Sequence, residues 1–209
     1  MNGDLILYTN PMSRGRIARW MLEETGQPYE TVLMDYQTTL KAPAYLAINP
    51  MGKIPALTHC EAVVTECAAI CAYLADAFPE AGLAPPIGSK ARAPYFRWLF
   101  FAAGPVEAAV TNKQMGFELA PGKERIAGYG SLSAVLNALE LAVTETPYLA
   151  GDQFSAADIY AGSQIGFGLR FGTIEKRPEF IAYWERISAR PAAIRAAALD
   201  DALLPKAPN

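Results

Sequence analysis

Apolar residues fall in short blocks over the first part of the chain and at helical spacing after it. Leu5-Ile6-Leu7-Tyr8 is an apolar run of strand length, closed by the turn signal Thr9-Asn10-Pro11. Ser13 stands as a helix N-cap, and Ile17, Trp20 and Met21 follow at i, i+3, i+4 until Gly26 ends the stripe. Residues 29–34 read as a second strand, so strand, helix and strand imply a parallel βαβ unit. Residues 41–48 suit a short helix. Residues 55–58 and 62–64 make two more strands around the tight turn His59-Cys60-Glu61. From Glu66 the positions Ile70, Tyr73, Leu74 and Ala77 restore a helix.

Residues 79–90 then bring three prolines and two glycines in a connection that marks the best domain boundary. Beyond it every apolar pattern is helical. Residues 91–119 predict one long aromatic-rich helix interrupted at Gly104-Pro105, and residues 122–144 and 156–169 predict two more. Residues 178–189 and 191–199 each carry proline in the first turn. The expected architecture is an α/β domain over residues 1–80, a linker over 81–90, and an all-α domain over 91–209.

Composition narrows the function. Of 209 residues 52% are apolar and 19% charged, a folded globular balance. A net charge of −3 with scattered Lys and Arg argues against a nucleic-acid partner or an anionic membrane surface. No run approaches the ~18 apolar residues of a membrane span, and the opening residues lack the charged and apolar regions of a signal peptide. Cys60, Cys67 and Cys71 are odd in number and clustered, which fits reduced thiols in the cytoplasm. No zinc set or Cys-x-x-Cys pair is present, so neither a metal nor a dithiol redox centre is expected. The single histidine, His59, and the lack of a Gly-x-Ser-x-Gly elbow weigh against a serine hydrolase built on Ser13.

The most informative stretch is Ile48-Asn-Pro-Met-Gly-Lys-Ile-Pro-Ala-Leu57. Proline at position 55 belongs at a strand start. A cis Ile54–Pro55 bond there turns the Ile54 N–H and C=O outward, towards an extended peptide ligand. With Ser-Arg-Gly-Arg-Ile-Ala-Arg-Trp at 13–20, Thr-Glu-Cys-Ala-Ala-Ile-Cys-Ala-Tyr-Leu at 65–74 and Gly-Asp-Gln-Phe-Ser-Ala-Ala-Asp-Ile-Tyr at 151–160, this loop resembles the cytosolic glutathione transferases over nearly the whole chain. The resemblance implies a thioredoxin-like α/β domain followed by a helical bundle, a homodimer, glutathione as co-substrate without a separate cofactor, and a small apolar electrophile or a peroxide as second substrate. A non-catalytic binding or regulatory member of the same fold is the alternative.

Such chemistry requires lowering the thiol pKa, because the thiolate is the nucleophile. A hydroxyl donor and a helix N-terminus aimed at sulfur achieve this. Ser13 lies five residues after Tyr8, the spacing of serine- and cysteine-type members of the resembled family. Tyr8 occupies the place of the tyrosine-type donor, and Asn10 is a third donor in the same turn. The resemblance further implies that Ile54, beside Pro55, pairs with the cysteinyl backbone and Lys53 meets the glycine carboxylate. It likewise implies that Glu66 accepts from the γ-glutamyl ammonium, while the helix start at Cys67 receives the γ-glutamyl carboxylate. Cys67 departs from the family's usual serine, and a thiol donates weakly. Ser155 and Asp158 form a capping box ahead of an apolar run, a structural pairing. Tyr95, Phe96, Trp98, Phe100, Phe101, Met115, Phe117, Phe167 and Phe171 are expected mostly in the core.

Overall fold

The computed structural model describes residues 5–204. The reading of the opening segment falls partly on residues 1–4, outside the described residues. By contact the described chain forms two units. One runs up to Ala81 and takes back the segment from Ala189 onward; the other is Gly82–Ser188.

The first unit is built on a mixed sheet. Strand β1 (Leu5–Thr9) leads into helix α1 (Gly15–Thr25), then β2 (Glu30–Leu33), the short helix α2 (Pro43–Leu46), β3 (Ala56–His59), β4 (Ala62–Thr65) and helix α3 (Cys67–Ala77). The sheet order is β2-β1-β3-β4, with β1 parallel to β2 and β3 antiparallel to both β1 and β4. Leu7 faces Leu57 across β1 and β3, and neither has any exposed surface. The alternation of β1 is visible in its burial: Leu5, Leu7 and Thr9 are buried, whereas Ile6 and Tyr8 are half-buried. Ile17, Met21 and Leu22 of α1 and Ile70 and Leu74 of α3 supply the apolar layer of the two helices. Strand β2 is an edge strand whose four residues are all exposed.

The segment after residue 189, counted by its helical pattern with the second half of the sequence, clusters with the first unit. Its helix α9 (Pro191–Asp201) lies along α1 and is tied there by charge. Arg19 Nε donates to Asp200 Oδ1 at 2.8 Å, with both side chains buried. Arg16 pairs with Asp201, Arg190 grips Glu24 with two bonds of 2.6 and 2.8 Å, and Arg195 reaches Glu23 at 3.1 Å. Burial pushes the Asp200 carboxyl up despite the neighbouring guanidinium.

The second unit is helical: α4 (Arg92–Phe101), α5 (Glu107–Gln114), α6 (Leu132–Glu145), α7 (Ala156–Phe171) and α8 (Pro178–Ser188). The interruption expected at Gly104-Pro105 is a π-helical segment, Ala102–Val106, between α4 and α5. Proline lacks the N–H that an α-helix would use there, and the wider turn accommodates its ring. The helices expected over residues 115–119 and 122–131 do not form. Gly116, Gly122, Gly128 and Gly130 all take positive φ, and α6 starts at Leu132, where Ser131 Oγ accepts from the Ala134 N–H. Glycine density outweighs the apolar spacing there. Tyr95 and Trp98 are buried as expected, but Phe96, Phe100, Met115, Phe117 and Phe171 are exposed.

The core of this unit turns on Asp158. Its Oδ2 accepts from the Ser155 N–H and Oγ, each at 2.9 Å, while Oδ1 accepts from the Leu149 N–H at 2.8 Å and the Tyr183 hydroxyl at 2.7 Å. Burial pushes this carboxyl up and the four donors pull it back. Asp158→Ala leaves all four donors buried without an acceptor, at about 1–3 kcal/mol for each group left unmet. It is expected to lower unfolding free energy by at least about 3 kcal/mol, read as a shifted urea midpoint. A loss below about 1 kcal/mol would contradict the keystone role.

Candidate functional site

Between β1 and α1 the chain turns at Asn10-Pro11-Met12-Ser13. Asn10 Nδ2 donates to the Met34 carbonyl at 2.9 Å and Asn10 Oδ1 accepts from the Met12 N–H at 2.9 Å, so this side chain latches the turn to the end of β2. Ser13 Oγ donates to the Asn10 carbonyl at 2.7 Å and accepts from the Gly15 N–H at 2.9 Å. The hydroxyl thus sits at the start of α1, although the helix proper begins one residue later than an N-cap at Ser13 would give. Gly15 is glycine for a steric reason: a Cβ there would overlap Thr9 Oγ1 and crowd Ser13 Oγ. This close approach of α1 to β1 fixes where Ser13 stands, and the apolar pattern does not signal it.

The Tyr8 ring lies 5.7 Å from that of Tyr45, in a cluster with Met34, Leu40, Ala56, Ile48 and Ile54. Arg16, three residues after Ser13, is engaged by Asp201.

The loop before β3 is tightly held. Tyr45 Oη donates to the Lys53 carbonyl at 2.6 Å and Asn49 Nδ2 to the same oxygen at 2.8 Å. Burial pushes the Tyr45 phenol up to about 12, so it remains a donor at neutral pH. Lys41 Nζ donates to the Met51 carbonyl at 3.0 Å and the Gly52 carbonyl at 3.2 Å, adding a second cation to the loop that carries the exposed Lys53. Lys41 carries no local sequence signal, because its role depends on a contact ten residues away. The Ile54–Pro55 bond is cis. Among the described residues neither the N–H nor the C=O of Ile54 has a backbone partner.

Helix α3 starts on Glu66, which is exposed and holds φ at 66° and ψ at 118°, a conformation that L-residues rarely adopt. No side chain caps this end. The first N–H groups of α3 therefore face outward as a positive helix terminus. Cys67 is buried, and its thiol donates to the Arg14 carbonyl at 3.6 Å. That contact places the starts of α1 and α3 side by side. The hydrogen bond that the Cys71 thiol donates to Cys67 and full burial push the Cys71 thiol well up, which leaves Cys71 a poor nucleophile. His59 bonds Tyr73, not Ser13, so no nucleophile–base pair forms on the serine. Among the described residues no group of three or more His, Cys, Asp or Glu side chains could hold a metal ion.

The two adjoining helix starts with an exposed peptide edge match a known family. Residues 3–76 fit the description "Glutathione S-transferase, N-terminal domain" and residues 111–191 fit "Glutathione S-transferase, C-terminal domain". Glutathione S-transferase 3 of Zea mays is 32% identical, the match covering 90% of each chain. The chain belongs to the glutathione S-transferase family. Among solved structures, a glutathione transferase from Methylococcus capsulatus is 32% identical with a TM-score of 0.78, over 95% of this chain and 99% of that one. A sphingomonad glutathione S-transferase solved in complex with glutathione is 31% identical with a TM-score of 0.75, over 94% and 98%. The glutathione S-transferase fold thus accounts for both units, the thioredoxin-like sheet domain and the helical domain.

The Glu66 backbone yields a direct test. A non-glycine residue in such a conformation costs about 1–3 kcal/mol, against about 0.5–1 kcal/mol for the extra chain entropy of glycine. Glu66→Gly is therefore expected to stabilise the fold by about 1 kcal/mol in chemical denaturation, while removing the carboxylate from the helix start. A destabilised variant would show that the Glu66 side chain, not the site, holds that backbone.

Proposed function

We propose that this chain is a glutathione transferase of serine type, in which Ser13 activates the glutathione thiol for attack on a small apolar electrophile or a peroxide. The observation that carries the reading is the 3.6 Å contact from Cys67 to the Arg14 carbonyl, which sets two helix N-termini side by side within one unit. Their dipoles favour anions at both the γ-glutamyl carboxylate and the thiolate. Glu66 accepts from the γ-glutamyl ammonium at the uncapped start of α3. Ile54, with both backbone groups available, pairs with the cysteinyl residue, and Pro55 fixes that edge. Lys53 meets the glycine carboxylate.

The chemistry at Ser13 follows from its hydrogen bonds. The Gly15 N–H donates to Oγ and polarises it, which makes the hydroxyl a stronger donor in turn. Rotating the hydroxyl proton from the Asn10 carbonyl towards sulfur stabilises the thiolate over the thiol, so the bound thiol ionises nearer neutral pH. The thiolate then attacks the electrophilic carbon or peroxide oxygen and the leaving group departs with the bonding pair. Tyr8, packed against Tyr45, and Asn10, latched to Met34, shape the turn and stand aside from the sulfur. The protein is proposed to be a cytoplasmic homodimer, with the exposed Phe96 and Phe100 of α4 as an apolar face for the second copy. No helix among the described residues is long and apolar enough to cross a membrane.

Ser13→Ala is expected to retain most glutathione affinity while the bound thiol pKa rises towards about 8.5, the free-thiol value. Each pKa unit is ~1.4 kcal/mol, so conjugation near neutral pH falls by roughly 10- to 100-fold for one to two units. Tyr8→Phe is expected to change little. Thiolate absorbance against pH, with glutathione saturating, separates them; a shift confined to Tyr8→Phe would transfer the role to Tyr8. Calorimetry supplies the second check. Glu66→Ala should weaken glutathione binding by roughly 10- to 150-fold, the equivalent of a lost charge-assisted bond. Cys67→Ser should bind equally or more tightly, because it restores a stronger donor.

A further inference from the structure

The inward face of β1 ends on a hydroxyl. Strand alternation points Leu5, Leu7 and Thr9 to the buried side, and the first two are core leucines. Thr9 is the last residue of the strand, and its carbonyl accepts from the Met34 N–H at 2.8 Å, so its backbone is held by the chain just beyond β2. Thr9 has no exposed surface, and its Oγ1 is buried without a hydrogen-bond partner among the described residues. Valine has nearly the same shape and leaves no polar atom unmet, so apolar packing alone gives no reason for a hydroxyl here.

The hydroxyl adjoins Ser13. A Cβ built on Gly15 would overlap Thr9 Oγ1 and stand 2.9 Å from Ser13 Oγ, so both oxygens border one point and lie within two hydrogen-bond lengths of each other. A serine oxygen has one proton to give and two positions at which to accept. At Ser13 the proton goes to the Asn10 carbonyl at 2.7 Å, one acceptor position takes the Gly15 N–H at 2.9 Å, and the other is open among the described residues. A donor without an acceptor thus stands beside an acceptor position without a donor.

We infer that Thr9 is a positioning residue for the glutathione thiol, acting through Ser13: its hydroxyl donates to the open acceptor position of Ser13 Oγ when the Ser13 proton turns to the sulfur. This rests on the serine reading of the site. Two donors on Ser13 Oγ, the Gly15 N–H and the Thr9 hydroxyl, polarise it more than one does and orient its single proton outward. Catalytic hydrogen bonds are often long before substrate binds and tighten in the complex, which is the step that brings Thr9 within reach. Thr9, being fully buried, works only through the serine and changes no covalent bond.

The experiment separates the hydroxyl from the methyl group. Thr9→Val removes the first and Thr9→Ser the second; each is measured by thiolate absorbance against pH with glutathione saturating, and by its urea midpoint. Thr9→Val is expected to raise the bound-thiol pKa by about half a unit and to lower conjugation near neutral pH about threefold. Its urea midpoint should be unchanged or higher, because no buried hydroxyl is left unmet. Thr9→Ser is expected to keep the wild-type pKa and to lose stability to the small cavity. Affinity for S-methylglutathione, which has no thiol to ionise, should be the same in all three proteins. In a Ser13→Ala background Thr9→Val should move the pKa no further, since the effect passes through the serine. A wild-type pKa in Thr9→Val, an equal shift in Thr9→Ser, weaker S-methylglutathione binding in Thr9→Val, or a shift that persists without Ser13 would each overturn the role. A wild-type pKa in Ser13→Ala removes the serine reading and this inference with it, whereas a shift in Ser13→Ala and none in Thr9→Val removes Thr9 alone.

Discussion

A guanidinium cannot be buried without partners, and Arg19 is 3% exposed. Its Nε is satisfied by Asp200, and one terminal nitrogen by Tyr29 Oη and Thr31 Oγ1 at 3.2 Å each. These bonds reach from α1 to the loop before β2, to β2 itself and to α9. The desolvation penalty of such a group is several kcal/mol, so the elements around it are held to positions that partner its Nε and Nη1, while Nη2 stays buried without a hydrogen bond among the described residues. Helix α1 is thereby fixed to both β2 and α9, while Gly15 lets its first turn press against Thr9. The location of Ser13 is the result of both constraints.

Polar side chains near that serine divide by what they already hold. Asn10, Tyr45, Asn49 and Lys41 are all spent on backbone carbonyls, and they set the shape of two loops. The groups left facing outward are of another kind: the Ile54 peptide edge, the strained Glu66 and the uncapped N–H groups of α3. Rigid loops thus present unsatisfied backbone, and backbone recognises a peptide through its own N–H and C=O groups.

Much of this was legible in the residues. The β1 run, the α1 stripe, the β3–β4 turn, the α3 spacing and the Gly104-Pro105 break all come from local patterns, and local patterns decide local structure. The loop before Pro55 was legible because proline restricts its own neighbourhood. Residues 115–131 do not follow their apolar spacing, because four glycines there each take positive φ. The placement of α9 left no periodic signal, since it rests on pairs such as Arg19–Asp200 that are 181 residues apart. For the same reason the Cys67–Arg14 contact and the Lys41 clasp could not be read from spacing, and His59 looked like a turn residue although it is buried.

The first unit is discontinuous in the chain, and this imposes an order on its assembly. A ribosome adding roughly 5–20 residues per second needs roughly 10–40 s to go from Arg19 to Asp200. During that interval the sheet and α1 emerge while the counter-charge for Arg19 has not been made. The second unit, Gly82–Ser188, is contiguous and is fully synthesised before α9 appears. The nascent chain must therefore keep α1 hydrated along its α9-facing side, and the arginines and glutamates there serve that interval as soluble surface before they become ion pairs. The unit that begins first is the one that finishes last.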